Sequence, residues 1–172
     1  MKLLKTLFSV GAMSVMTISS LNILMPSTAK AEDFRKTSFE LTNIQGSGKA
    51  KTGALTVQIS INVSGEASGR GSGLFSYRGE QDGLQMVVRA ECVNTFLLGN
   101  ARTTVSTIAG PIVDGSSSVT GKNKWVFVQI KDQNPDQIRV IDVSRETALQ
   151  LCNAPSANFP ATFTFGNITI SH

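Results

Sequence analysis

Hydrophobic and polar residues alternate strictly along several stretches of this chain. From Leu55 to Val63 a large apolar residue occupies every second position, with Thr, Gln, Ser and Asn between them. The stretch from Leu84 to Cys92 repeats the pattern and places Cys92 on its more apolar face. A period of two is typical of a β-strand with one buried and one solvated face. Less contrasted strands are predicted at residues 38–44, 101–109, 124–131, 138–144, 148–152 and 161–170.

Turn-forming residues separate these strands. Gly, Asn, Asp and Pro gather at residues 79–83, 98–100, 114–115, 121–123 and 134–136, as expected between short strands. The stretch at 124–131 is apolar on both faces, so we expect both of its faces to be covered. Eight or nine short strands with regular turns predict an all-β fold. We expect a single small antiparallel barrel, with a two-sheet sandwich as the alternative.

Two stretches depart from simple alternation. Residues 144–151 fit either one short helix or a strand, and we expect the strand. In the last predicted strand the apolar parity shifts from Phe163 and Phe165 to Ile168 and Ile170. A shift of one residue across the intervening Gly166-Asn167 predicts a bulge or a tight turn at that point.

The N-terminus has the form of an export signal. Lys2 and Lys5 precede an apolar stretch, and Ala29-Lys30-Ala31 has the small-x-small pattern that signal peptidases cleave. We therefore expect a signal peptide at residues 1–31 and a single β domain at 32–172, located in the periplasm or outside the cell. An uncleaved anchor is the alternative, but the Ser, Thr and Asn residues of the apolar stretch favour cleavage.

Cleavage changes the charge argument. The chain has 16 basic and 12 acidic residues, and loss of Lys2, Lys5 and Lys30 leaves 13 basic residues. So small an excess does not favour binding to nucleic acid or to an anionic membrane surface. Cys92 and Cys152 are the two cysteines. In an oxidising compartment they are expected to form a disulfide, and a redox role is disfavoured because they lack Cys-x-x-Cys spacing.

The sequence GRGSGLFSYR, residues 69–78, suggests a phosphate-binding loop at first sight. Such loops open a helix, whereas here the glycines precede a strand-like Leu-Phe-Ser-Tyr run. At period two the three glycines share a face with Phe75 and Tyr77. We therefore predict a strand with a bare face, covered by Phe127, by Trp125 or by a ligand.

The order of several motifs resembles a loose group of exported bacterial β-domains of uncharacterised function. The motifs are SGRGSGLFSYR, VVRAECV, LLGNARTTVSTIAGPI, WVFVQIKDQNPDQIRV and a terminal GNITI, within residues 46–170. They are mostly turns, glycines and core positions. The resemblance implies a barrel-like fold and a disulfide, and it carries over no catalytic residue.

Candidate chemistry is sparse. His172 is the one histidine and lies at the C-terminus, which disfavours a catalytic triad or a zinc site. Residues 132–136 open like a calcium loop, but Gln137 and Val143 replace its glycine and glutamate, so we expect a hairpin turn. Glu80 and Asp82 are expected to be solvated charges in one turn. We predict no catalytic residue, no metal and no cofactor.

Four arginines lie on or beside successive predicted strands, namely Arg70, Arg78, Arg89 and Arg102. They either bind an acidic or sugar ligand together or pair with nearby carboxylates. The candidate ligand-binding residues are Tyr77, Arg78, Arg89 and Trp125.

The sequence favours a non-catalytic binding or accessory module, whose partner is a small apolar ligand or a surface polymer. The alternative is a small barrel enzyme of the cyclase or isomerase type acting on an apolar ligand. An outer-membrane barrel is disfavoured because the chain has one Trp, one Tyr and no aromatic residue at its C-terminal end.

Overall fold

The structure is a computed structural model that describes residues 34–36, 41–99, 103–116, 124–156 and 159–172. The predicted signal peptide, Arg102 and the predicted turn at 121–123 lie outside the described residues. The elements are β1 Phe34–Lys36, β2 Leu41–Thr52, β3 Leu55–Glu66, β4 Gly71–Gly79, β5 Gln85–Arg89, β6 Cys92–Leu98, β7 Thr103–Gly115, β8 Trp125–Asp132, β9 Gln137–Val143, α1 Arg145–Asn153 and β10 Ala161–Ser171. Across the described ranges, no helix combines the length and apolar character needed to cross a bilayer.

Eight strands close into an antiparallel ring in the order β7-β5-β4-β3-β2-β10-β9-β8. Most neighbours in the ring are also neighbours in the chain, so the barrel is an up-and-down meander closed where β10 pairs with β2. The predicted all-β barrel is therefore confirmed. Strands β1 and β6 extend the sheet outside the ring, where β6 pairs with β7 and β1 pairs with β6.

Alternation of the side chains divides the strands into an inner and an outer face. Apolar residues of β3 at Val57, Ile59, Ile61 and Val63 point into the barrel and are almost completely buried. On the outer face of the same strand lie Gln, Ser and Asn. This division is what period two requires of a strand at the wall of a filled barrel.

Strand β8 is buried on both faces, as its sequence predicts. Val126, Val128 and Ile130 belong to the barrel core. On the outer face, Trp125 packs with Ala148 and Cys152 of α1. The helix therefore lies outside the barrel and covers β7 and β8.

The prediction of a strand at residues 148–152 is wrong, because this segment forms α1. For residues 144–151, where the sequence fitted a helix or a strand, the structure has the helix. Ser144 is the N-cap, and its hydroxyl accepts a hydrogen bond from the N–H of Thr147. Such capping supplies a partner for one of the unpaired donors of the first turn. Ala148 and Cys152, four residues apart, form the buried face of the helix.

A bulge interrupts the pairing of β10 with β2. The register shifts between Phe163 and Phe165, which leaves Phe163 buried and Phe165 75% exposed. The predicted bulge is confirmed, although it precedes Gly166-Asn167. The alternative of a tight turn is wrong, because β10 continues through Ser171.

Candidate ligand-binding site

The two ends of the barrel differ in how they are filled. At one end, here called the closed end, β6 leaves the ring, and Val93 packs against the bare backbone of Gly65 and Gly71. The buried hydroxyl of Thr95 on β6 contacts Thr42 Oγ1 of β2 at 3.4 Å. Strands β2 and β6 are not neighbours in the sheet. This contact therefore places β6, which lies outside the ring, against β2 at this end of the barrel.

At the other end, here called the open end, small residues stand at inward positions. Ala50 and Ala161 belong to the barrel core, and Gly79 is buried opposite Val57. Larger side chains at these positions would fill the space that the ring encloses. Ala161 borders a small unfilled space at this end together with Tyr77 and Val140, and a larger cavity lies against the same Tyr77 and Val140.

This cavity has a volume of about 290 Å³. A second space of about 80 Å³ lies against the same Tyr77 and Val140 and is bounded by core residues such as Ile59 and Ala161. Phe75, two residues before Tyr77 on β4, is fully buried. The residues lining the larger cavity are Tyr77, Leu84, Met86, Ile112, Lys124, Val140 and Asp142.

Tyr77 supplies the phenol of this cavity and is half-buried there. Burial raises the pKa of Tyr77 above its ordinary value, and the negative charge of Asp82 raises it further. The phenol is therefore neutral at physiological pH. A neutral phenol inside an apolar cavity can donate one hydrogen bond to an acceptor on a ligand.

Asp82 reaches the barrel end because Gly79 has no side chain. A Cβ on Gly79 would collide with the carboxylate of Asp82, which also accepts a hydrogen bond from the N–H of Leu84 at 2.9 Å. Glu80 points away and pairs with Lys49 on the outer surface. Both acids are exposed, as the sequence predicts, but Asp82 also acts electrostatically on Tyr77.

The four candidate ligand-binding residues are not brought together. Tyr77 lines the cavity, whereas Arg78 is exposed on the outer face and Arg89 pairs with Glu91 at 3.1 Å. Trp125 lies outside the barrel, with the guanidinium of Arg145 5.4 Å from its ring centre. The cluster of arginine, tyrosine and glutamate that a reaction inside the barrel would require is therefore not assembled.

The glycine-rich stretch is a strand from Gly71 onward, as predicted, whereas Gly69 lies before β4 with a φ of +84°. The expectation that Trp125, Phe127 or a ligand covers its glycines is wrong, because Val93 covers Gly71. Gly73 instead approaches the backbone of β3 at Asn62 and has a φ of +103°. Trp125 does not reach the glycines because it faces away from the barrel interior.

The predicted disulfide between Cys92 and Cys152 is confirmed and joins β6 to α1. Both cysteines are buried. The carbonyl of Cys152 accepts hydrogen bonds from Thr107 Oγ1 at 2.7 Å and from Asn94 Nδ2 at 3.1 Å. These bonds hold the C-terminal end of α1 on the barrel wall, so the disulfide belongs to the structural framework.

Residues 133–136 form the predicted hairpin turn between β8 and β9. Asp136 is buried and accepts hydrogen bonds from the N–H groups of Ile168 at 2.7 Å and Gln133 at 3.2 Å. Burial raises the pKa of Asp132, as does Asp136, while a hydrogen bond from the backbone of Ile170 lowers it. Strand β9 pairs with β10 only at Ala161 and Thr162. Beyond that short ladder, the two aspartates accept hydrogen bonds from backbone N–H groups of β10.

In the described part of the chain, no group of three or more His, Cys, Asp or Glu residues lies close enough to hold a metal ion. His172 is exposed at the end of the chain, and partial burial lowers the pKa of its imidazole.

Sequence reasoning identified Tyr77 but missed most of the cavity. Lys124, just before β8, and Asp142 on β9 also line it, and although the predicted hairpin brings these two together, the sequence does not show that they face Tyr77 of β4. The signal that was available is Ala161, a small residue at an inward position that borders the smaller space. Comparison with protein-family models, curated proteins and solved structures finds no match to this chain.

Proposed function

We propose that this protein is an exported, disulfide-linked β-barrel that binds a small, largely apolar ligand at its open end and does no chemistry on it. The observation that carries the proposal is the cavity of about 290 Å³, walled by Leu84, Met86, Ile112 and Val140. Its size is at the lower end of the range for ligand pockets, roughly 300–1,000 Å³. The disulfide and the signal-like N-terminus support export, as does the resemblance to exported bacterial β-domains.

The charges of the rim favour a neutral ligand. Asp142 lines the cavity and Asp82 lies near Tyr77, against one ammonium group from Lys124. A carboxylate ligand would meet more negative than positive charge there, in a place of reduced solvent exposure. Among the side chains that line the cavity, the phenol of Tyr77 is the polar group without a charge, and it provides the anchor. An alcohol or a ketone of short chain therefore fits better than a fatty acid.

Fluorine NMR tests this proposal because Tyr77 is the only tyrosine of the chain. Protein made with fluorotyrosine should give one tyrosine resonance, which octanol should shift saturably and octanoate should shift much less. Native mass spectrometry of protein purified from its own host should then show a retained neutral molecule. A resonance that neither compound moves, together with the absence of any retained molecule, would remove the basis of the proposal.

A cyclase or isomerase acting on an apolar ligand is the second candidate. One observation favours it, namely that burial and Asp82 keep Tyr77 protonated, as a general acid requires. The open end offers no arginine to accompany it among the residues that line the cavity. Recovery of a chemically altered molecule after incubation with the retained ligand, abolished in Tyr77→Phe, would favour this candidate over simple binding.

A further inference from the structure

A second depression lies on the outer wall of the barrel and shares Tyr77 and Met86 with the lining of the open-end cavity. The strand pairings place Ser47, Ser60, Ser76, Val87 and Asp114 in one row, each directly opposite the next. The row crosses β2, β3, β4, β5 and β7. Because neighbouring strands are roughly 4.8 Å apart, the row is about 19 Å long. We call this row and its borders the serine trough.

Longer side chains border this row. Two residues nearer the open end, Lys49, Gln58, Arg78 and Gln85 stand opposite one another in the same way. Rows on one face of a sheet are about 7 Å apart, so small side chains form a floor beside a wall of long ones. The resulting depression has a volume of about 490 Å³ and is lined by Gln58, Arg78 and Gln85 together with the row itself.

The chemistry of the serine trough is polar but nearly neutral. Its lining holds serine hydroxyls, two glutamine amides, one guanidinium from Arg78 and one carboxylate from Asp114. Neighbouring charges are already paired, Lys49 with Glu80 and Arg89 with Glu91. Within the described residues, the guanidinium of Arg78 has no ion-pair partner. The trough therefore presents many hydrogen-bond donors and acceptors without net charge.

The low net charge of the trough and the paired edges of its strands disfavour two kinds of extended partner. An anionic polymer would find one cation next to one carboxylate, which gives little net attraction. An extended peptide could not add as a strand, because β2, β3, β4 and β5 are each paired on both edges. A chain of neutral sugars presents hydroxyl groups at regular intervals and requires no free strand edge. We propose that the serine trough binds a neutral oligosaccharide lying across the strands.

Amide NMR of isotopically labelled protein tests this proposal with cellohexaose and chitohexaose as neutral probes and a heparin hexasaccharide as the anionic one. A neutral probe should shift the amides of Ser47, Ser60, Ser76 and Val87. The amides of Val140 and Asp142, which line the open-end cavity but not the trough, should not move, which separates this site from the open end. The proposal is overturned if neither neutral probe shifts these amides at about 10 mM, a concentration above the range of weak specific binding. It is also overturned if the heparin fragment binds there more tightly.

Matched variants complete the test. Ser60→Leu fills the centre of the floor, and Ser72→Leu places the same side chain on an exposed position of β4, opposite Ser64 and outside the trough. We expect the Kd for the neutral hexasaccharide to rise at least about tenfold in Ser60→Leu, equivalent to the loss of one good contact. It should be unchanged in Ser72→Leu. Equal affinities of the two variants would show that the sugar does not lie in the trough.

Discussion

At the scale of single residues, the molecule places its one tyrosine where burial and charge act on it together. Tyr77 is the only tyrosine, and Trp125 is the only tryptophan. The first lines the open end, whereas the second lies beneath α1 on the outer wall. Each region therefore has its own spectroscopic reporter, which makes the following predictions specific to one site.

The alkaline titration of Tyr77 should have a midpoint above 10.0, followed by the absorbance of the tyrosinate. Asp82→Asn should lower this midpoint but leave it raised, because burial is the larger cause and Asp82 the smaller. The raised pKa disfavours the ionised phenol in the folded state, so its contribution to stability persists below the unfolded pKa. That contribution is lost as the pH rises through the folded pKa.

Glu80→Gln is the control for this titration, since Glu80 lies in the same turn but pairs with Lys49 outside the barrel. It should leave the midpoint of Tyr77 unchanged. A midpoint at or below 10.0 in the wild type, or equal effects of the two substitutions, would contradict the placement of Asp82 over the cavity.

Asp136 should matter for folding rather than for binding. Asp136→Ala leaves the N–H groups of Ile168 and Gln133 without their acceptor, which we expect to lower the free energy of unfolding by about 2–4 kcal/mol. Urea unfolding followed by Trp125 fluorescence measures this loss.

Asp132→Asn provides the comparison for that prediction, because it keeps an oxygen that can accept the hydrogen bond from Ile170. The raised pKa of Asp132 means that folding favours its protonated form, so the stability it contributes is present at acid pH and is lost as the pH rises through its folded pKa. At neutral pH, Asp132→Asn should be at least as stable as the wild type. A loss as large as that of Asp136→Ala would contradict this account.

At the scale of elements, alternation in the sequence predicted most of the strands, but it joined β5 and the start of β6 into one strand at 84–92 and could not recognise α1. Ala148 and Cys152 fall on one face in a helix and also in a strand, because four residues is a multiple of two. The capping signal was incomplete, since Thr147 stands where a capping box has Glu or Gln. Only the contact of α1 with the outer wall of β7 and β8 distinguishes the two structures, and that contact joins distant parts of the chain.

The close packing of the β4 glycines leads to a prediction about stability. Gly71→Ala should be destabilising because the added methyl group collides with the side chain of Val93. A second substitution, Val93→Ala, should relieve that collision, so the double variant should lose less stability than the sum of the two single variants. Denaturant unfolding of the four proteins gives this coupling energy.

Gly73→Ala is the matched comparison, because its added methyl group would meet the backbone of Asn62 in a positive-φ conformation. Val93→Ala should not relieve it. If both glycine substitutions respond equally to Val93→Ala, then Val93 does not cover Gly71 in the way described.

At the scale of the whole molecule, the barrel could be predicted from the sequence, whereas its open end could not. The number of strands and their alternation predicted an all-β fold and favoured a barrel over the two-sheet sandwich. Which end is filled depends on β6 leaving the ring and on Val93 reaching Gly65 and Gly71, contacts between residues far apart in the chain. The cavity lies at the other end, where no residue of β6 is among those that line it.

A larger side chain at the open end should therefore increase the stability of the protein and weaken ligand binding. Ala161 is buried beside the inner space of about 80 Å³, and Ala161→Leu should occupy it. We expect this variant to gain roughly 1 kcal/mol of stability, because added apolar groups become buried in a space that is otherwise unfilled. It should also bind octanol at least about tenfold more weakly, which corresponds to about 1.4 kcal/mol. Thermal unfolding and the fluorine resonance of Tyr77 measure the two effects on one protein. Lower stability would mean that the inner space is already filled, and unchanged octanol binding would mean that the ligand occupies the larger cavity without entering the inner space.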